Sequence, residues 1–230
     1  MAEQLSFDLP GKTALGREDF FVAPSNALAV AMIEAAATWP SRKLVLVGPA
    51  GSGKTHLAHV WAAASGAQIV GARDLARADI AQLAAGPVGV EDVEQIAGDP
   101  EAQDALFHLH NLVLANGHAL LMTGQGTPRH WAMSLPDLQS RLEGTQCATL
   151  EAPDDTLLAA VLAKLFSDRQ IAPKRDVIPY LVTHMERSFE AAQRLVAGLD
   201  RAALTEGRSI NRRLASQLLG AGDNQRSLPL

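Results

Sequence analysis

Gly48-Pro49-Ala50-Gly51-Ser52-Gly53-Lys54-Thr55 completes the pattern GxxxxGK[ST], with the apolar run Leu44-Val45-Leu46-Val47 before it and His56-Leu57-Ala58-His59-Val60-Trp61 after it. Strand, glycine-rich turn and helix in that order are the setting in which such a loop cradles phosphate. The glycines let successive backbone N–H groups turn inward, Lys54 carries a positive charge toward the outer phosphates, and the Thr55 hydroxyl suits Mg²⁺. The stretch therefore implies a nucleoside triphosphate, or its diphosphate product, as ligand.

Outward from the loop, apolar segments and helical patterns alternate. Strands are expected near 44–48, 67–71, 87–91, 118–123 and 145–150, with helices near 54–65, 74–85, 101–116 and 136–143 between them. That alternation predicts an α/β fold, a parallel sheet covered by helices on both faces. Upstream, Ser25 is a good N-cap for an alanine-rich helix over 26–39 that stops before Pro40. After Pro153 strand signals cease, and 154–169, 174–184, 188–206 and 211–219 have helical apolar spacing, so the last third reads as a small all-helical subdomain. The expected organisation is a flexible tail over 1–16, a nucleotide domain over 17–153 and a helical lid over 154–230. Arg187, Arg194, Arg201 and Arg208 recur every seven residues and read as a solvated helix face.

A phosphate loop works with an acid at the end of a neighbouring strand. Val88-Gly89-Val90-Glu91-Asp92 supplies two, Glu91 toward the metal and Asp92 toward the attacking water. Glutamate in place of the commoner aspartate moves the carboxylate by about a bond length, which implies slow turnover. Thr123 ends the apolar run Leu120-Leu121-Met122 at the sheet edge where ligands of such sheets sit, a candidate phosphate or water sensor. Arg141, in Leu138-Gln139-Ser140-Arg141, reads equally well as a surface residue. The histidines show no third partner at metal-ligand spacing.

Composition narrows the class. The net charge of −5 argues against a protein that coats nucleic acid. A single cysteine, Cys147, rules out an internal disulfide, suits a reducing cytoplasm, and is expected in the core. The start lacks a secretory leader and no apolar run reaches membrane-spanning length, so a cytoplasmic, membrane-free protein is expected.

Asp19 to Asn26, the loop with His56-Leu57, Glu91 through Phe107 to Asn111, and Leu138 to Arg141 together resemble the AAA+ module of the bacterial replication initiator DnaA, over about residues 17–220. Within that family the chain looks like the shorter, Hda-type regulatory homologues, since the eleven residues after Leu219 are too few for a helix-turn-helix. The resemblance implies an adenine nucleotide, ADP or ATP, with Mg²⁺. Its contacts would come from Phe21, Val22, Asn26, the loop residues Gly48 to Thr55, and His56, with the metal at Thr55 and Glu91. It also implies that Arg141 is an arginine finger for a neighbour's nucleotide. It places Glu190 where the family's lid carries a γ-phosphate-sensing arginine; an acid there repels a triphosphate, so ADP is the expected resident, unless Arg187 or Arg194 substitutes.

The tail adds a second specific feature. Gln4-Leu5-Ser6-Phe7-Asp8-Leu9 is similar to the sliding-clamp-binding hexapeptide, with Gln4 at a pocket rim and Leu5, Phe7 and Leu9 as apolar anchors. Each buried anchor contributes ~1.5–3 kcal/mol, ordering the tail offsets much of it, and micromolar affinity, on the order of −8 kcal/mol, is expected. Gln225 to Leu230 is a weaker echo. The implied function is regulation of replication initiation: clamp-bound protein promotes hydrolysis of ATP held by the initiator, with weak ATPase activity of its own and DNA reached only through partners. Homo-oligomers are compatible with this. Two alternatives stay open, a helicase-loader-like ATPase that binds single-stranded DNA and a nucleotide-stabilised clamp adaptor that stimulates no hydrolysis.

Overall fold

The structure is a computed structural model and describes residues 20–206 and 209–226. The expected tail, with Gln4, Leu5, Phe7 and Leu9, lies outside the described residues, as do Arg208 and the end of the Gln225 to Leu230 echo.

Helix α1 (Ala27–Glu34) leads through two short 3₁₀ turns to β1 (Lys43–Val47), the phosphate loop and α2 (Lys54–Ser65). Then come β2 (Gln68–Gly71), a 3₁₀ segment Ala72–Arg77, α3 (Ile80–Leu83), β3 (Val88–Glu91), a 3₁₀ turn Val93–Ile96, α4 (Pro100–Ala115) and β4 (Leu120–Gly124). α5 (Pro136–Glu143) and β5 (Cys147–Thr149) complete the α/β part. The strands form one parallel sheet in the order β2-β3-β4-β1-β5, with Leu46 opposite Thr123 and Val45 opposite Cys147. As predicted, it is an α/β fold with helices on both faces.

Why both faces are covered follows from the pleat. Successive residues of β1 point to opposite sides. Leu44 and Leu46 pack with Ile33, Trp39, Leu57, Trp61 and Leu121 under α1 and α2. Val45 and Val47 pack with Val90, Leu106, Leu109, Met122 and Leu138 under α4 and α5. A strand buried on both sides reads as a continuous apolar run, which is why these strands were visible in the sequence.

α6 (Asp155–Asp168), α7 (Val177–His184), α8 (Phe189–Glu206) and α9 (Arg212–Arg226) follow. They share an apolar cluster of their own around Leu158, Leu162, Phe166, Leu181, Val196, Leu199 and Leu214.

Some local expectations are corrected. α1 stops at Glu34, and its N-cap is Asn26 rather than Ser25, whose buried hydroxyl has no partner. The helix expected over 74–85 splits into a 3₁₀ segment and the single turn α3, because the Asp79 carboxylate accepts the N–H of Gln82 and starts a new helix there. α9 runs seven residues beyond the expected end at 219. Cys147 opens β5 half-buried, with burial raising its thiol pKa.

Candidate nucleotide site and finger face

β1 lies between β4 and β5, so the chain leaves β1 at the point where the strand order reverses, and the phosphate loop fills that crevice. Gly51 (φ +67) and Gly53 (φ +96) hold left-handed backbone, and Gly53 caps α2. Lys54 is buried and its ammonium donates to the carbonyls of Gly48 and Pro49, each at 2.9 Å. Burial lowers its pKa, while Asp92, Glu94 and Glu91 oppose that shift. Thr55 is exposed on the first turn of α2.

The acids stand across from this loop. β3 delivers Glu91, and Asp92 then takes a left-handed conformation (φ +54) that turns the chain into the 3₁₀ turn. The Asp92 N–H donates to the Thr123 hydroxyl at 3.2 Å, which ties β3 to the end of β4. That turn returns Glu94 to the sheet edge, where its Oε2 lies 2.8 Å from the place a Gly124 Cβ would occupy. Sequence reasoning missed Glu94. Its signal was an acid three residues after Glu91, and only the left-handed Asp92 decides where it goes.

Three polar atoms around this crevice are buried without a partner: Ser52 Oγ, Glu91 Oε1 and Glu94 Oε2. Buried polar groups are ordinarily hydrogen-bonded, so orphans grouped beside inward-turned loop amides fit a phosphate and its hydrated cation. The donor set, hydroxyl and carboxylate oxygens, suits Mg²⁺. Thr55 and Glu91 would be the residues to hold it, and the cation would neutralise phosphate charge there.

Just ahead of α1, Asn26 is buried, its carboxamide accepting from the Ala23 N–H and donating to the Phe21 carbonyl, both at 2.8 Å. These bonds tie the segment from Phe21 to Ala23 to the start of α1, with Val22 half exposed. Phe20 meets His56 edge-on, and the Phe20 and Phe189 rings both approach Gly53. Phe189 was not foreseen: its N–H donates to the Gly51 carbonyl at 2.8 Å, and Ser188 abuts Gly51. Arg187 pairs with Asp155, and Arg194 pairs with Glu190 and Glu186, so both arginines are engaged with acids on the surface.

Arg141 lies elsewhere. It is exposed near the end of α5, its guanidinium 4.8 Å above the Phe107 ring of α4. Its carbonyl accepts from the Thr145 hydroxyl at 2.7 Å and from Lys43, the first residue of β1, at 3.2 Å. Glu91, Asp92 and Thr123 thus stand at the sheet edge that carries the loop, Phe20 and His56 meet beside Gly53, Phe21, Val22 and Asn26 form the segment leading into α1, and Arg141 lies at the opposite end of β1.

No protein-family profile matches the chain. Solved structures do. Domain III of the Thermotoga maritima replication initiation protein DnaA superposes with a TM-score of 0.77 at 19% identity, over 93% of this chain and 98% of that one. Replication initiator DnaA bound to AMPPCP and single-stranded DNA gives 0.67 at 20% identity, over 82% of this chain and 68% of that one. AMPPCP-bound DnaA from Aquifex aeolicus gives 0.66 at 20% identity, over 83% and 65%. The chain has the fold of DnaA domain III.

Proposed function

We propose that the chain is an Hda-type AAA+ regulator: it holds an adenine nucleotide with Mg²⁺, docks on the sliding clamp through its tail, and promotes hydrolysis of ATP bound to DnaA. In this reading 17–153 is the nucleotide domain and 154–230 its lid. One observation carries it. Arg141 sits beside the first residue of β1, whereas the phosphate loop follows the last, and five strand residues span about 16 Å. An exposed guanidinium with no acid partner among the described residues is therefore out of reach of its own loop and open to a neighbour's nucleotide. There it would neutralise charge on the γ-phosphoryl oxygens while a water oxygen bonds to phosphorus and the bond to the bridging oxygen breaks. Such a finger accelerates hydrolysis by about 10³ to 10⁵-fold.

The neighbours bound to AMPPCP support an adenine nucleotide as ligand, and one of them is also bound to single-stranded DNA. A DNA-binding loader would need stacking aromatics on its surface. Among the described residues the large apolar side chains that are most exposed are Val22, Leu28, Leu112 and Leu204, none aromatic. The test is hydrolysis of labelled ATP pre-bound to DnaA, with and without DNA-loaded clamp. Arg141→Ala should remove the stimulation and leave clamp binding intact; deletion of residues 1–10 should remove clamp dependence. Undiminished stimulation by Arg141→Ala would overturn the assignment in favour of an adaptor.

A further inference from the structure

Lys43 is half-exposed at the start of β1 and has two polar neighbours, neither of them an acid. Its ammonium lies 3.3 Å from His110 Nε2 and 3.2 Å from the Arg141 carbonyl. His110 is buried on α4, and its Nδ1 lies 3.4 Å from Asn111 Oδ1. An ammonium can only donate, so Nε2 accepts and the Nδ1–H faces Asn111. Burial first, and Lys43 second, push the imidazole down to about 4, so it is neutral at physiological pH and available as that acceptor. The result is a chain from α4 through His110 and Lys43 to the backbone of Arg141, with Thr145 holding the same carbonyl from β5's side.

A cation near a helix C-terminus stabilises the last carbonyls, and that much a cap explains. The charge itself is not explained by capping. Burial and the neighbouring Arg141 both lower the pKa of Lys43, so its environment works against the charged form. A neutral amide would satisfy the same two acceptors without that repulsion. Two like charges held together, with no carboxylate paired to either among the described residues, are complementary to an anion that arrives from outside. The nearby acid Glu143 is exposed and accepts from Gln139 instead.

We propose that Lys43 is the positioning residue of the finger and the second cation of a surface that receives the terminal phosphates of a nucleoside triphosphate held on a neighbouring ATPase subunit. This rests on the finger reading of Arg141. Lys43 fixes the backbone from which the guanidinium projects. Its charge adds to the field that favours a triphosphate over a diphosphate in the neighbour. The expected occupant is phosphate rather than a partner carboxylate, because the surface would then distinguish the neighbour's nucleotide state.

The test uses the full chain and DnaA loaded with AMPPCP or with ADP, and reads the dissociation constant of each complex and its salt dependence. Lys43→Gln keeps a donor for both acceptors and removes the charge. It is expected to reduce the preference for AMPPCP-loaded partner by about tenfold and to flatten the salt dependence, with clamp binding unchanged. Lys43→Arg should retain most of the preference. If Lys43→Gln keeps both the preference and the stimulation of hydrolysis while Arg141→Ala loses them, Lys43 is a cap only and the proposal falls, with the finger reading intact. If Arg141→Ala also keeps them, the finger reading itself fails. An equal loss of affinity for the AMPPCP and ADP forms would point to a partner carboxylate and overturn phosphate as the occupant. A second measurement needs no variant: tripolyphosphate up to about 10 mM, added to wild-type chain saturated with ADP, should shift the His110 ring resonances, and a flat titration would count against the surface.

Discussion

Among the described glycines, Gly51 alone combines a left-handed φ with a Cβ position under 3.0 Å from a neighbour. Its φ of +67 disfavours any side chain, and an added Cβ would stand 2.5 Å from Ser188 Cβ. Gly66 shares the left-handed φ (+71) but has open space around it. Gly66→Ala should therefore cost about 1 kcal/mol of backbone strain, and Gly51→Ala about 2–4 kcal/mol, because Ser188 must also move. Urea unfolding of the two variants side by side checks this, and equal losses would mean that Ser188 yields freely. His110 offers a pH test. Its folded pKa, about 4, lies below the ordinary 6.5, so the unfolded chain binds more protons between those values and the folded state loses stability as pH falls through that window. The contribution is complete above pH 6.5 and is on the order of 2 kcal/mol after allowance for solvent screening. Wild type and His110→Gln should therefore converge in unfolding free energy on going from pH 7 to pH 5, and parallel curves would contradict the assignment of a neutral, Lys43-facing imidazole.

α3, α4 and α6 each begin where an aspartate side chain accepts from one of the first free N–H groups. The Asp99 carboxylate accepts from Ala102 at 3.1 Å ahead of Pro100, and the Asp154 carboxylate accepts from Leu157 at 2.7 Å ahead of α6. Asp99→Ala should lower stability by about 1 kcal/mol, read as a shift in thermal midpoint, and Asp99→Asn should recover most of it. The same local chemistry explains what was legible in the sequence. Strands buried on both faces announce themselves as apolar runs, and a contiguous phosphate loop carries its own context, so five strands, their order of appearance and the loop could all be read. The break at Asp79 was missed because alanine-rich flanks on either side have equal helical patterning. Glu94, Phe189 and Lys43 were missed for another reason: their roles arise from the left-handed turn at Asp92, from α8 meeting the loop, and from α4 and α5 meeting the start of β1. Those meetings join residues far apart in the chain, and Arg141 too was singled out by resemblance rather than by any local pattern.

At the scale of the molecule, α8 and the phosphate loop share a hydrogen bond. The Phe189 N–H donates to the Gly51 carbonyl, the Phe189 ring faces Gly53 beside Phe20, and Lys54 is turned back on the loop carbonyls. A nucleotide that drew Lys54 outward would enter where these groups meet, so its binding is expected to be coupled to the packing of α8 on the loop. Ligand at a hundred times its dissociation constant should stabilise the whole chain by about 2.7 kcal/mol, and Phe189→Ala should weaken both ligand affinity and that thermal shift. The expected ligand preference turns on Glu190, the exposed first-turn acid of α8, next in the chain to Phe189, whose N–H meets Gly51. A carboxylate there opposes the additional charge of a triphosphate. Arg194 pairs with both Glu190 and Glu186, so the three side chains together still carry a net negative charge. ADP should therefore bind more tightly than ATP by calorimetry, and Glu190→Gln should narrow the gap by raising ATP affinity while leaving ADP affinity nearly unchanged. If the two affinities rise together, Glu190 acts on lid docking as a whole, and the preference for the diphosphate has to come from the acids at the strand ends, where Glu91 and Glu94 keep their unpaired oxygens.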